Sequence, residues 1–156
     1  MKFFSIFILF ALPSANAFAE EFLKPGTPIP EIQWEDQFEE PISLAKDTKK
    51  IIYSNSKDGS KVFTTAFESK KQEYFIKHKA LVLADIRKMP SIISKLIAIP
   101  KMRKYEYKIA LIRSDEKAIP FPSEENQVSL IVVENGKLKS VAYTSDPQEV
   151  LNFVEK

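Results

Sequence analysis

The sequence predicts an α/β domain whose mixed central sheet follows the order β-α-β-α-β-β-α after an N-terminal β-hairpin. Two short apolar runs, Ile51–Tyr53 and Ala80–Ala84, are each followed by helical spacing of apolar residues, which indicates parallel βαβ units. Further on, two strand-like runs flank Asn135-Gly136, a pair that favours a two-residue type I′ turn. Right-handed crossovers then predict helices on both faces of the sheet.

The first 17 residues are predicted to be a signal peptide rather than part of this domain. Lys2 supplies a positive start, Phe3–Leu12 is almost entirely apolar, and Ala15–Ala17 has the small residues of a cleavage site. The apolar run is too short to cross a bilayer, which needs about 20 residues. We therefore expect cleavage after Ala17, with Ala17–Ala19 as a usable second cleavage site, a periplasmic or secreted protein, and no membrane span after cleavage.

The remaining chain divides into a proline-rich extended lead-in, residues 18–31, and one domain, residues 32–156. The domain opens with a predicted hairpin, Ile32–Trp34 and Ile42–Leu44, whose acidic tip is Glu35–Glu40. An amphipathic helix is predicted from Lys61 to about Lys77.

A second helix is predicted from Pro90, and Pro100 stops or kinks it. Its apolar stripe, expected to face the core, consists of Ile92, Ile93, Leu96 and Ile97. Tyr107–Ile112 is the third central strand. Asp146 is predicted to cap the last helix, with Pro147 at its first position.

The composition excludes several functions. The chain has no cysteine, so thiol-disulfide exchange, thiol peroxidase and cysteine hydrolase chemistry are all excluded. The formal net charge is only +2, which argues against nucleic acid as a partner. His78 is the only histidine, so a metal site is not expected, and a surface or helix-end position is the simpler interpretation.

Two segments resemble the thioredoxin and peroxiredoxin superfamily. The segment from Gly26 to Gln37 is similar to the opening of peroxiredoxin-like domains, and Val128–Lys137 is similar to the last hairpin of thioredoxin. The resemblance implies a thioredoxin-like fold over nearly all of the chain beyond the signal peptide. The Cys-x-x-Cys of that superfamily falls where this chain reads Ser56–Lys61, and its cis-proline falls at Val128. The redox site is therefore absent.

A narrower resemblance concerns Ala84–Pro90 and Ile99–Lys104, which are similar to stretches in small exported bacterial proteins often catalogued as FAD/FMN-containing dehydrogenases. This resemblance implies a flavin-dependent oxidoreductase as the alternative function, with FAD or FMN as cofactor. A dinucleotide fold needs clustered glycines, however, and Gly26, Gly59 and Gly136 lie far apart. No cofactor is therefore expected.

The candidate ligand-binding residues lie where the first two central strands end, since ligand sites in α/β sheets gather at carboxyl ends. Free N–H groups at a helix start favour an anion. In the simpler interpretation, Asp58 or Ser60 caps the helix and Gly59 makes a turn, while the Asp-Arg pair fixes a loop. The candidates are Ser56, Asp58, Ser60, Lys61, Asp85 and Arg87.

Two charged stretches have open interpretations. Lys101–Lys104, followed by Tyr105 and Tyr107, could contact phospholipid head groups, an acidic partner or a nucleic acid, although a solvated turn is favoured. The acidic stretch Glu35–Glu40 could bind Ca²⁺ but lacks the pattern of a dedicated loop, so a charged hairpin tip is favoured.

The sequence as a whole predicts a non-catalytic binding or interaction module of the cell envelope. The partner is expected to be an envelope protein or a small anionic ligand.

Overall fold

The computed structural model describes residues 21–156, and the predicted signal peptide lies outside these described residues. The strands are β1 (Gln33–Glu35), β2 (Pro41–Ser43), β3 (Lys50–Ser54), β4 (Ala80–Asp85), β5 (Ile109–Ile112), β6 (Val128–Glu134) and β7 (Lys137–Thr144). The α-helices are α1 (Lys57–Ala66), α2 (Gln72–Lys77), α3 (Ser91–Ile93), α4 (Ile99–Met102) and α5 (Pro147–Glu155). A π-helical stretch (Ser94–Ala98) joins α3 to α4, and a 3-10 helix spans Asp115–Lys117.

The seven strands form one mixed sheet in the order β2-β1-β5-β4-β3-β6-β7. The three central strands β3, β4 and β5 are parallel, and β6 runs antiparallel to β3. Asn135 and Gly136 in the turn between β6 and β7 have φ angles of 52° and 71°, as a type I′ turn requires. The predicted order of elements, the N-terminal hairpin and the C-terminal hairpin are therefore confirmed.

The two faces of the sheet are covered by different kinds of structure. One face packs against helices α1, α2, α4 and α5 through a cluster that includes Phe63, Phe75 and Val150. On the other face, the cluster contains Ile29 from the lead-in and Phe121 from the loop before β6, and no residue of a described α-helix. The prediction of helices on both faces is therefore wrong.

The lead-in takes the place of a helix on that second face. The N–H groups of Gly26 and Ile29 donate to the carbonyl oxygens of Leu138 and Gly136, at 2.7 and 2.9 Å. These bonds attach the lead-in to the last hairpin and hold the Ile29 side chain over the sheet. A proline-rich extended segment can cover an apolar face because its few N–H groups donate to carbonyl oxygens of a neighbouring hairpin.

The predicted single helix from Lys61 to Lys77 is two helices, and α1 starts four residues earlier. The reason is the packing of Phe67, which follows α1, against Phe75 in α2. Their ring centroids are 4.9 Å apart in an edge-on contact. In one straight helix, residues eight apart would be separated by about 12 Å along the axis. The break after Ala66 allows both rings to enter the same core cluster.

The second predicted helix is underwound in its middle because of Pro100. That residue has no N–H to donate to the carbonyl of Leu96, four residues earlier. Ile99 instead donates its N–H to the carbonyl of Ser94, five residues earlier. The helical backbone therefore neither stops nor breaks at Pro100 but passes through a π-helical stretch, which is rare and often found at functional sites.

A buried glutamine helps to attach the N-terminal hairpin to the sheet, besides the buried Trp34 of β1. Only Glu35 and Leu111 pair between β1 and β5. Gln37 is fully buried: its Oε1 accepts from the N–H of Ile109 at 2.8 Å, and its Nε2 donates to the carbonyl of Tyr107 at 2.6 Å. The main chain of Gln37 also accepts from Nε of Arg103 at 2.7 Å, just after α4.

The charged tip predicted at Glu35–Glu40 is only partly correct. Asp36 is fully buried, and its Oδ1 accepts from the N–H groups of Phe38 and Glu40 at 2.8 and 3.0 Å. This carboxylate shapes the turn of the hairpin, while Glu39 and Glu40 remain exposed.

Candidate functional site

The predicted site residues lie at one edge of the sheet, which we call the carboxyl edge. The parallel register places Ser54 beside Ala84 and Asp85 beside Ile112, so β3, β4 and β5 end close together. Helix α1 begins at this edge directly after β3. The segment from α3 to α4 begins here too, six residues after the end of β4.

Serine side chains organise the start of α1. Ser56 is the N-cap, and its Oγ accepts from the N–H of Gly59 at 3.0 Å. The hydroxyl of the fully buried Ser54 donates to the carbonyl of Ser56 at 3.0 Å, and the hydroxyl of Ser60 donates to Oγ of Ser54 at 3.3 Å. The expectation that Asp58 or Ser60 caps this helix is therefore wrong, because Ser56 does so.

Gly59 is a helical residue in the first turn of α1 rather than a turn glycine. A Cβ at this position would lie 2.6 Å from the carbonyl oxygen of Gln127 and 2.6 Å from Oγ of Ser54. The absence of a side chain thus allows α1 to pack directly on the backbone that precedes β6. Of the residues predicted in this loop, only Asp58 and Lys61 are exposed.

Asp85 and Arg87 form the predicted ion pair, extended by a third residue. Nη2 of Arg87 lies 2.7 Å from Oδ2 of Asp85, and Nε lies 3.0 Å from Oδ1. Nη1 of Arg87 lies 2.6 Å from Oδ1 of Asp115, which follows β5. The hydrogen bonds to Asp85 raise the pKa of the Arg87 guanidinium. This cluster ties the loop after β4 to the loop after β5.

The sheet separates these two groups of predicted residues. Tyr53 belongs to the core cluster on the face of the sheet that has no helices. Its hydroxyl donates to Oδ2 of Asp85 at 3.5 Å, so the ion pair of Asp85 and Arg87 adjoins that face. The serine cap belongs to α1, which covers the opposite face. The six predicted residues therefore share an edge but do not form one pocket, and ligand binding by them stays a prediction.

Replacing Arg87 with methionine is expected to lower the free energy of unfolding by about 2 kcal/mol, because the largely buried Asp85 loses its cation. Denaturant unfolding measures the change. Asp115→Asn is the matched control: Asp115 binds the same guanidinium but is 92% exposed, so its loss is expected to cost less than about 0.5 kcal/mol. If the two substitutions lowered the free energy of unfolding equally, the ion pair between Arg87 and Asp85 would not contribute more to stability than the exposed one with Asp115.

Sequence reasoning missed the most unusual surface at this edge. The predicted core stripe of the second helix points away from the core. Its side chains, which we call the apolar face, are exposed as follows: Ile92 68%, Ile93 42%, Leu96 72% and Ile97 58%. The side of the same segment that faces the protein carries Ser94, Ile99 and Met102, which are buried.

A signal for this surface was present in the sequence. Between Ile86 and Tyr105 the chain carries six basic residues and no acidic one, although the whole chain is nearly neutral. A stripe of isoleucine and leucine within such a basic stretch is typical of interfacial helices as well as of core helices. Periodicity alone does not distinguish the two.

No group of three or more His, Cys, Asp or Glu side chains in residues 21–156 is placed to hold a metal ion. No helix in the same range is long and apolar enough to cross a membrane.

The chain has a thioredoxin-like fold. It resembles the solved structures of a thiol:disulfide interchange protein from Bacteroides sp. (TM-score 0.53, 15% identity, 86% of this chain and 92% of that one) and the peroxidoxin BcpB from Mycobacterium tuberculosis (TM-score 0.53, 13% identity, 85% and 97%). A third is the thioredoxin domain of a thiol-disulfide oxidoreductase from Bacteroides vulgatus (TM-score 0.51, 15% identity, 85% and 99%).

Sequence comparison adds no family to this result. No family model matches the chain, and no curated protein matches it either. Identities this low establish the fold alone. The fold resemblance predicted from the two sequence segments is confirmed, and it occurs in a chain without cysteine.

Proposed function

We propose that this chain is a non-catalytic binding module of the cell envelope that contacts its partner through the apolar face. The observation that carries the proposal is the joint exposure of four large aliphatic side chains, Ile92, Ile93, Leu96 and Ile97, on one short helical segment. Single exposed apolar residues are common, whereas a contiguous group marks a site of interaction.

A binding role fits the chemistry of the carboxyl edge. The chain has no thiol, and the serine and acid–arginine groups at this edge hydrogen-bond to one another and to the backbone. Ser56 is engaged as a helix cap, so its hydroxyl is not arranged as a nucleophile beside a base. The apolar face begins only a few residues beyond Arg87, at the same edge.

An envelope location is supported by the predicted signal peptide. Mass spectrometry of the exported protein is expected to find an N terminus at Phe18, the residue after the predicted cleavage site. An intact leader, or a protein retained in the cytoplasm, would contradict the location. The same preparation tests the flavin alternative, because a flavoprotein absorbs in the visible range, whereas a binding module without cofactor is colourless.

The binding role is tested by photo-crosslinking in cells. A photoreactive amino acid at position 96 is expected to give covalent adducts with envelope material. The matched control is position 76, since Ile76 is 67% exposed on α2, close to the exposure of Leu96. Adducts at position 96 that exceed those at position 76 support the proposal. Equal yields at the two positions, or no adduct at either, would overturn it.

A further inference from the structure

We infer that the apolar face docks on an anionic phospholipid surface, with the segment Ser91–Met102 lying in the plane of the head groups. This inference rests on the proposed function and names the partner of that same surface. Three observations support it: the charge around the face, the geometry of the segment, and the mismatch of this surface with a second copy of the chain.

The segment that carries the apolar face is rich in positive charge and contains no acidic residue between Ile86 and Tyr105. Four of its basic side chains, within the segment or next to it in sequence, are exposed: Lys88, Lys95, Lys101 and Lys104. No ion pair within residues 21–156 involves any of these lysines. The other two cations of the stretch are engaged by the protein, Arg87 with Asp85 and Arg103 with the Gln37 carbonyl. Clustered free lysines near a bilayer are attracted by anionic head groups.

The geometry suits a helix that lies on a bilayer. The twelve residues from Ser91 to Met102 span about 18 Å, well short of the roughly 30 Å needed to cross the hydrocarbon core. Ser94, Ile99 and Met102 hold one side of this segment on the protein, which directs the aliphatic side chains outward. An interfacial helix inserts such a face about 5–10 Å deep while lysines remain at the head groups.

Hydrogen bonds connect the end of the segment to the N-terminal hairpin. Gln37 lies beneath its end, where Nε2 is 3.4 Å from the carbonyl of Met102, and Arg103 donates to the Gln37 carbonyl. The apolar face thus lies on a helical segment whose end is hydrogen-bonded to the rest of the protein and whose inner side is buried. Such support lowers the cost of ordering the segment on docking.

A second copy of the chain fits this surface poorly. A two-fold contact would bring the four lysines of one molecule against the same four of the other, which is a repulsive arrangement. Four apolar side chains are also far fewer than the roughly 20 residues per partner of a standard interface. A protein partner would need an acidic rim, and that case is an outcome of the test.

The test is vesicle flotation of residues 18–156, which include every described residue. We expect binding to vesicles of phosphatidylcholine mixed with phosphatidylglycerol and much weaker binding to phosphatidylcholine alone. Leu96→Glu is expected to lower the partition coefficient at least about tenfold. Lys95→Gln and Lys101→Gln are each expected to lower it about fivefold, and added salt is expected to weaken binding.

Ile76→Glu is the matched control and is expected to leave binding unchanged, with circular dichroism verifying that both variants are folded. Equal binding of Leu96→Glu and Ile76→Glu would overturn the inference. So would the absence of binding to the anionic vesicles. If position 96 then still crosslinks to a protein in cells, the proposed binding function is supported and only the inference of a lipid partner is overturned. Failure of both experiments overturns the inference and the proposed function together.

Discussion

Gln37→Leu is expected to lower the free energy of unfolding by about 3 kcal/mol and the Tm by about 10 °C. Leucine has a similar volume, so the change removes hydrogen bonds without leaving a large cavity. The N–H of Ile109 and the carbonyl of Tyr107 lose their partner at a fully buried site, and each such loss costs about 1–3 kcal/mol. Thermal and denaturant unfolding measure the effect.

The matched control for this substitution is Gln33→Leu, four residues earlier. Gln33 is exposed in β1, so its replacement is expected to change stability by less than about 0.5 kcal/mol. If Gln37→Leu were as mild as this control, the buried amide would not be what holds the hairpin to the sheet. Because Gln37 also supports the end of α4, the variant is further expected to weaken binding through the apolar face.

Gly59→Ala is expected to destabilise the protein by about 2 kcal/mol, although alanine normally favours a helix by about 1 kcal/mol over glycine. The added methyl group would lie 2.6 Å from the backbone oxygen of Gln127, a distance that only a displacement of α1 or of the strand entrance can relieve. Steric overlap therefore outweighs helix propensity. Denaturant unfolding gives the sign directly.

Thr65→Ala provides the comparison within the same helix. Thr65 is exposed in α1, so alanine there is expected to raise stability by a few tenths of a kcal/mol, following propensity alone. The two alanine substitutions should therefore have opposite signs. A gain in stability for Gly59→Ala would mean that α1 is not closely packed at this point.

Local sequence signals predicted much of the fold correctly. The Asn135-Gly136 turn depends only on the backbone freedom of its two residues. The cap at Asp146, whose side chain accepts from the N–H of Gln148, depends on one short hydrogen bond. The continuous apolar runs of β3 and β4 are buried on both faces, as such runs usually are. These features are encoded within a few residues.

The features that were missed depend on partners distant in sequence. The break between α1 and α2 follows from the contact of Phe67 with Phe75, which a periodic pattern does not reveal. The burial of Gln37 depends on β5, some 70 residues away. From its neighbours in sequence alone, an acidic stretch with one glutamine is predicted to be exposed to solvent.

The positions of the candidate residues at the carboxyl edge were predicted, but, apart from one ion pair, how they contact one another was not. Asp85 and Arg87 were correctly paired, and the Ser56 loop was correctly placed at the end of a strand. Which serine caps α1 depends on the buried Ser54 and on the approach of Gln127. The outward direction of Ile92 and Leu96 follows from the burial of Ser94, Ile99 and Met102 on the other side of a segment that passes through a π-helical stretch.

The two outermost strands of the sheet decide whether neighbouring molecules on one membrane surface can pair their sheets edge to edge. At one margin, β2 has three residues and begins with Pro41, which has no N–H to offer a further strand. At the other margin, β7 presents the exposed Lys137 and Lys139. The shortness of β2 and its proline at one margin, and the exposed lysines at the other, all discourage strand addition from a neighbouring chain. Crowded molecules would therefore remain separate units and would not merge into a continuous sheet.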